Sequence, residues 1–339
     1  MSTSILILGV NGFVGSALVE KILRDTDWEI YGLDLTHHKI QDWLDHPRLH
    51  FTQGDMCQNM EWIEQQVQHC DVILPLVAVA NPSVYVSDPL FVYQLDYEAN
   101  LKVVKMCVAH QKHLIFPSTS EVYGMSPDIP FDEETSNLVT GPISKHRWIY
   151  SCAKQMLDRV IHAYGLQEGL NYTLFRPFNW IGPKQDELHA SERGSARVVM
   201  QFVSNIMDGK DLYLVDGGTQ RRCFTYIDDG IEALIKIIQQ RHTNANRQIF
   251  NIGNPMNEYS IKELAYLVKE SMQRYDQYAD KAHATNIIPM PSNDYYGEGY
   301  QDVIRRVPSI DRAKQALNWH PNVPLKSALT QILDYHFNH

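Results

Sequence analysis

Tyr150 and Lys154 stand four residues apart in "YSCAKQMLDRVIHAYG". On a helix that spacing brings both side chains to one face. An ammonium beside a phenol favours the phenolate, drawing a group of ordinary pKa about 10 towards working pH. Such a tyrosine can take a hydroxyl proton while the same carbon is oxidised by a nicotinamide. A tyrosine–lysine pair is common by chance, so its context has to decide. Upstream, "FPSTSEVYG" sets Thr119, Ser120 and Glu121 where an apolar run breaks. Glu121 there could serve a reaction, cap a local turn or pair with an arginine.

A second constellation opens the chain. "ILILGVNGFVGSALVEKIL" places Gly9, Gly12 and Gly15 after an apolar run, with Phe13 and Val14 at the start of a helical pattern. The spacing is GxxGxxG rather than GxGxxG. Small residues still permit a tight turn, approach of a pyrophosphate to backbone N–H groups, and close helix–strand packing. About twenty residues on, "YGLDL" presents Asp34, suited to a ribose 2′-hydroxyl and repulsive to a 2′-phosphate. The expected cofactor is therefore NAD. Asp55 in "QGDM" suits the adenine edge, although a turn residue would look the same.

These groups need a scaffold, and the pattern supplies one. Short apolar runs ("SILILGV", "EIYGLDL", "HCDVILPLVAVA", "HLIFPSTS", "NYTLFRPFN") alternate with amphipathic stretches such as "VGSALVEKILRD" and "NLKVVKMCVAH". That rhythm predicts an α/β fold, a Rossmann-type doubly wound parallel sheet. Further helices are expected in "ARVVMQFVSNIMDG", "TYIDDGIEALIKIIQQ" and "SIDRAKQALNW", and in "SIKELAYLVKESMQRY" with Ser260 as N-cap. "QIFNIGN" reads as a strand rejoining the sheet. About 1–176 with about 224–258 would form the NAD-binding domain. About 177–223 with 259–339 would form a smaller α/β substrate-binding domain.

Bulk properties narrow the classes. The 339 residues carry 30 Lys and Arg against 40 Asp and Glu, a formal charge of -10. A chain so acidic is a poor nucleic-acid binder, and a small anionic ligand would need a local arginine cluster. No apolar run approaches the roughly 18 residues that span a bilayer, and the N-terminus lacks a basic leader. Five cysteines in no CxxC pair read as mostly packed thiols of a cytoplasmic protein. No metal site is expected, and the His37–His38 pair reads as solvent-facing.

The chain resembles the extended short-chain dehydrogenases/reductases that act on nucleotide sugars. The resemblance runs through "LILGVNGFVG", "DVILPLVAVANP", "FPSTSEVYG", "GPISKHRWIYSCAKQMLDRVI", "LFRPFNWIGP", "DGGTQRRCFTYIDDGIEAL" and "YYGEGYQDVIRRVPSI", nearly its whole length. Within the family it is most similar to the UDP-glucuronic acid decarboxylase half of the bifunctional polymyxin-resistance enzymes, and to UDP-xylose synthases. The resemblance implies oxidation of C4 of UDP-glucuronic acid and loss of carbon dioxide, giving UDP-4-keto-pentose and NADH. Thr119 and Ser120 would bond the C4 oxygen, with Glu121 near the substrate carboxylate, either protonated or repelling it. Arg306 would join Glu121 in the decarboxylation step. Arg147, Ala80 and Tyr85 match substrate contacts. Arg222, Tyr213, Asn179 and Tyr300 are candidates for UDP, while Arg193 and Arg197 read as ordinary surface residues and Arg305 as a phosphate contact or surface residue.

Alternatives stay open. A UDP-xylose synthase would retain NADH and reduce the 4-keto intermediate. Ser120–Glu121 disfavours a 4-epimerase or 4,6-dehydratase, and the intact Tyr150/Lys154 pair disfavours a non-catalytic nucleotide-sensing scaffold. The resemblance also implies a homodimer through a four-helix bundle of the helices in "NLKVVKMCV" and "AKQMLDRVIHAYG", though core burial would explain their apolar faces equally.

Overall fold

The computed structural model describes residues 2–188 and 196–338. Seven parallel strands form its main sheet: β1 (Ser4–Leu8), β2 (Glu29–Asp34), β3 (Leu49–Gln53), β4 (Val72–Pro75), β5 (His113–Pro117), β6 (Tyr172–Pro177) and β7 (Gln248–Ile252). Their order is β7-β6-β5-β4-β1-β2-β3. Ile5, Leu6, Ile7 and Leu8 are all fully buried because helices cover both faces, so β1 is apolar on both sides. The strand order reverses between β1 and β4, and in open α/β sheets the crevice at that point holds the ligand. The expected Rossmann-type fold is what forms, and "QIFNIGN" does rejoin the sheet, pairing with β6.

The apolar stretch expected to run through "HCDVILPLVAVA" pairs only as far as Pro75. Its β1 partner ends there at Leu8, and beyond it the chain turns into a loop whose Ala80, Asn81 and Pro82 line the central cavity. Ser260 caps the helix Ile261–Met272 as expected, in a full capping box: its hydroxyl accepts from Glu263 N–H while the Glu263 carboxylate accepts from Ser260 N–H.

Small sheets carry the rest of the cavity wall. Strand Arg221–Cys223 pairs antiparallel with Glu258–Ser260 and parallel with Arg305–Arg306, so Arg221 lies beside Arg305 and Arg222 beside Arg306. Strand alternation sorts the four. Arg221 and Arg305 both donate to the Glu258 carboxylate, whereas Arg222 and Arg306 line the cavity. Among the described residues, no helix is long and apolar enough to cross a membrane.

Candidate active site

The glycine turn is built by close approach. Gly9 has φ +85°, and a Cβ on Gly15 would lie 2.3 Å from the Gly9 carbonyl oxygen, so neither position takes a side chain without strain. Gly12 precedes the helix Phe13–Asp25, and no side chain caps that helix. Its first N–H groups are therefore open to an anion. Asp34 ends β2 and accepts from Asn11 N–H at 2.9 Å, which ties the acid to the glycine turn. Phe13 and Val14 reach the cavity wall. An uncapped helix start, a carboxylate at the second strand end and an adjoining cavity fit NAD. Asp55 lies after β3, where its carboxylate accepts from Cys57 N–H at 2.6 Å; that bond alone gives it a turn role.

A cavity of about 450 Å³ adjoins this end. Of the residues expected from sequence, Ala80, Tyr85, Thr119, Ser120, Glu121, Arg147, Tyr150, Asn179, Tyr213, Arg222, Tyr300 and Arg306 all line it. Thr119 caps the short turn Ser120–Tyr123 after β5, its hydroxyl accepting from Glu121 N–H. Tyr150 projects from the helix Trp148–Gln167 and stacks on Tyr85, with ring centroids 4.7 Å apart.

Lys154 shares that helix face but lies behind the cavity. Its ammonium donates to the Pro117 carbonyl at 3.0 Å, 4.8 Å from the Phe116 ring centre and 5.9 Å from that of Tyr150. The expected drop in the Tyr150 pKa is not what its surroundings give. Burial pushes the phenol up, the Asp96 and Glu121 carboxylates add to the rise, and a hydrogen bond with Thr119 opposes it. Burial likewise lowers the Lys154 pKa, against the pull of Asp96 and Asp158.

Arginines and acids dominate the other wall. The Glu121 carboxylate accepts from Arg147 on one oxygen and from Arg306 on the other, the latter at 3.0 Å. Burial pushes this carboxyl up, but the guanidiniums of Arg147 and Arg306 more than reverse that and hold it below its ordinary range. Of the options left open by sequence, pairing with arginine is thus the one observed, and the paired Glu121 is held in its ionised form. Arg222 donates to Asp302 at 2.5 Å and to the Val303 carbonyl at 2.8 Å. Three guanidiniums face two carboxylates, a local positive excess within an acidic chain. Arg147 Nε and Nη1 and Arg306 Nε are buried with no hydrogen-bond partner among the described residues. Buried donors left this way suit an incoming anion.

Arg197 is exposed, as the sequence reading has it, but it stands at the cavity rim, where it pairs with Asp186 at 2.8 Å. Arg193 falls outside the described residues. Arg305 is an exposed-side partner of Glu258 rather than a cavity residue. Asn179 adopts φ +41° and donates to the Cys223 carbonyl at 3.2 Å. Sequence reasoning missed Asp302, Tyr295 and Tyr296, although "YYGEGYQD" held them in view. Tyr296 stacks on Tyr300 at 4.2 Å, and the Arg147 cation lies over the Tyr300 ring.

The family model described as "NAD dependent epimerase/dehydratase family" matches residues 5–253. The chain belongs to that family. Its cofactor is NAD, consistent with the open helix start and Asp34. Over 100% of this chain and 97% of the other, it is 48% identical to the PbgP3 protein of Burkholderia pseudomallei, with a TM-score of 0.91. A UDP-glucuronic acid 4-epimerase of Bacillus cereus, solved with UDP-glucuronic acid and NAD, is 21% identical over 98% of each chain, TM-score 0.81. A dTDP-glucose 4,6-dehydratase of Bacillus anthracis, solved with NAD, is 20% identical over 100% and 97%, TM-score 0.80. These last two share the fold.

Proposed function

We propose that this protein is an NAD-dependent UDP-glucuronic acid decarboxylase that forms UDP-4-keto-pentose and NADH. The observation that carries the reading is Glu121 held between Arg147 and Arg306 on the cavity wall. Two guanidiniums with unused buried donors suit a substrate carboxylate; a neutral hydroxymethyl group would not engage their charge.

Tyr150 accepts the C4 hydroxyl proton, with Thr119 and Ser120 bonding that oxygen. NAD, when bound by the glycine turn and Asp34, supplies the two-electron oxidant for C4. The C6 carboxylate is then β to a ketone. The C5–C6 bond breaks, carbon dioxide leaves, and the bonding pair passes into the C4–C5 enolate. Arg306, always charged, steadies the moving charge but donates no proton. Water supplies the proton to C5. Glu121 keeps the cluster from gripping the carboxylate too tightly, since binding that is stronger before bond cleavage than during it slows release.

UDP is assigned to the wall of Arg222, Tyr213, Asn179 and Tyr300. A cytoplasmic homodimer is also proposed. On the helix Trp148–Gln167, Cys152, Met156 and Leu166 recur on an outward face, and Leu166 is 72% exposed. Parallel incubations with UDP-glucuronate and UDP-glucose test the reading. Turnover of the uronate alone is expected; turnover of UDP-glucose alone would point to an epimerase or dehydratase instead.

A further inference from the structure

Behind Tyr150 and Lys154 lies a carboxylate that the reaction above does not use. Asp96 sits in a π-helical turn, Gln94–Ala99, between the helices Pro89–Tyr93 and Asn100–Ala109. Such turns are rare and recur at functional sites. Asp96 is fully buried. One oxygen accepts from Val79 N–H at 3.0 Å. The other lies 3.9 Å from the Lys154 ammonium and has no hydrogen-bond partner among the described residues. One turn on, Asn100 donates to the carbonyls of Val77 and Leu95, fixing the same loop.

Other charges nearby are already committed. Asp158, on the same helix as Lys154, is engaged by Arg176 at 3.0 Å and by the Ser118 hydroxyl at 2.8 Å. Glu121 belongs to its arginines. Tyr150 and Tyr85, stacked on each other, both feel the Asp96 charge, which raises their pKa values. Both Asp96 and Asp158 favour the charged lysine; Asp96 has the larger effect and, unlike Asp158, is not held by an arginine.

We infer that Asp96 is a positioning residue, whose carboxylate keeps Lys154 charged from behind and, through Val79, pins the cavity loop at residues 77–82. The inference rests on the Tyr150/Lys154 reading of the reaction. Burial raises the Asp96 carboxyl to about 6, with Lys154 opposing, so it is ionised from neutral pH upward. Its charge raises the proton affinity of both Lys154 and Tyr150. Removing that charge should shift both titrations to lower pH.

The test is Asp96→Asn in the full chain, with lysines labelled with carbon-13 at Cε and the Lys154 signal assigned by its loss in Lys154→Met. The deprotonation midpoint of Lys154 is expected about 1–3 pH units lower in the variant. An unmoved midpoint would overturn the inference. With UDP-glucuronate and NAD, the whole kcat/KM profile should move to lower pH, and Asp96→Glu should move it back. A reduced kcat on an unmoved profile would make Asp96 merely structural and also overturn it. If Asp96→Asn does not fold, Asp96→Ser, which keeps an acceptor for Val79 N–H, carries the same expectation. If the wild-type protein does not turn over UDP-glucuronate, the proposed function fails, and the lysine titration still decides the role of Asp96.

Discussion

Glu121 accepts hydrogen bonds from two buried guanidiniums, Arg147 on one carboxylate oxygen and Arg306 on the other. Held ionised this way, it offsets one of two positive charges where the substrate carboxylate is proposed to sit. Glu121→Gln keeps the shape and removes the offset. The carboxylate should then bind as well or better but leave more slowly, so kcat falls by about 10²-fold while KM does not rise. Steady-state kinetics with UDP-glucuronate check this split. A raised KM with unchanged kcat would make Glu121 a simple binding residue.

Arg306→Lys preserves the charge but not the fork that reaches Glu121 and the cavity together. A fall of about 10²-fold in carbon dioxide release is expected. Retained activity in the lysine variant would reduce the role of Arg306 to bulk charge.

Tyr150 is held above the ordinary phenol range by burial and by the carboxylates of Asp96 and Glu121. A base must be deprotonated to act, so kcat/KM should climb with pH from neutrality upward. Tyr150→Phe should remove about 10²–10⁴-fold of turnover and flatten that climb, with nucleotide binding kept in a fluorescence titration.

His113 offers a test of the fold apart from the site. It is buried at the start of β5, Nε2 facing the Thr173 hydroxyl at 3.2 Å, and burial first, then His242 and Arg241, lower its pKa to about 3. Below about 6.5 the unfolded chain binds a proton that the folded chain refuses, so this residue's stability contribution is lost as pH falls from there towards 3. The rate is about 1.4 kcal/mol per pH unit. His113→Gln does not titrate. Its stability deficit against the wild-type protein should therefore shrink between pH 7 and pH 5 in urea unfolding; a constant deficit would mean that His113 already titrates normally.

What could be read from the sequence was local or periodic. The glycine turn, Asp34, the Tyr150/Lys154 spacing and the βα rhythm each depend on neighbours within a few residues, and all appear where expected. The cavity residues Arg306 and Arg222 were reached only by resemblance, since strand pairing between distant segments brings them together. The environment of Glu121 was not readable: its partners lie 26 and 185 residues away, and pairing was one option among several. Asp96 gave no signal, because a π-helical turn has no simple spacing pattern. Arg197 is exposed as its sequence suggests; its place at the cavity rim beside Asp186 was not readable, because that depends on how the chain packs.

The central claim is loss of C6 as carbon dioxide. UDP-glucuronate labelled with carbon-13 at C6, incubated with the protein and excess NAD, tests it most directly. Labelled carbon dioxide should appear in step with NADH and UDP-4-keto-pentose. Label retained in the nucleotide sugar would contradict decarboxylation, and UDP-xylose without net NADH would contradict the proposed product.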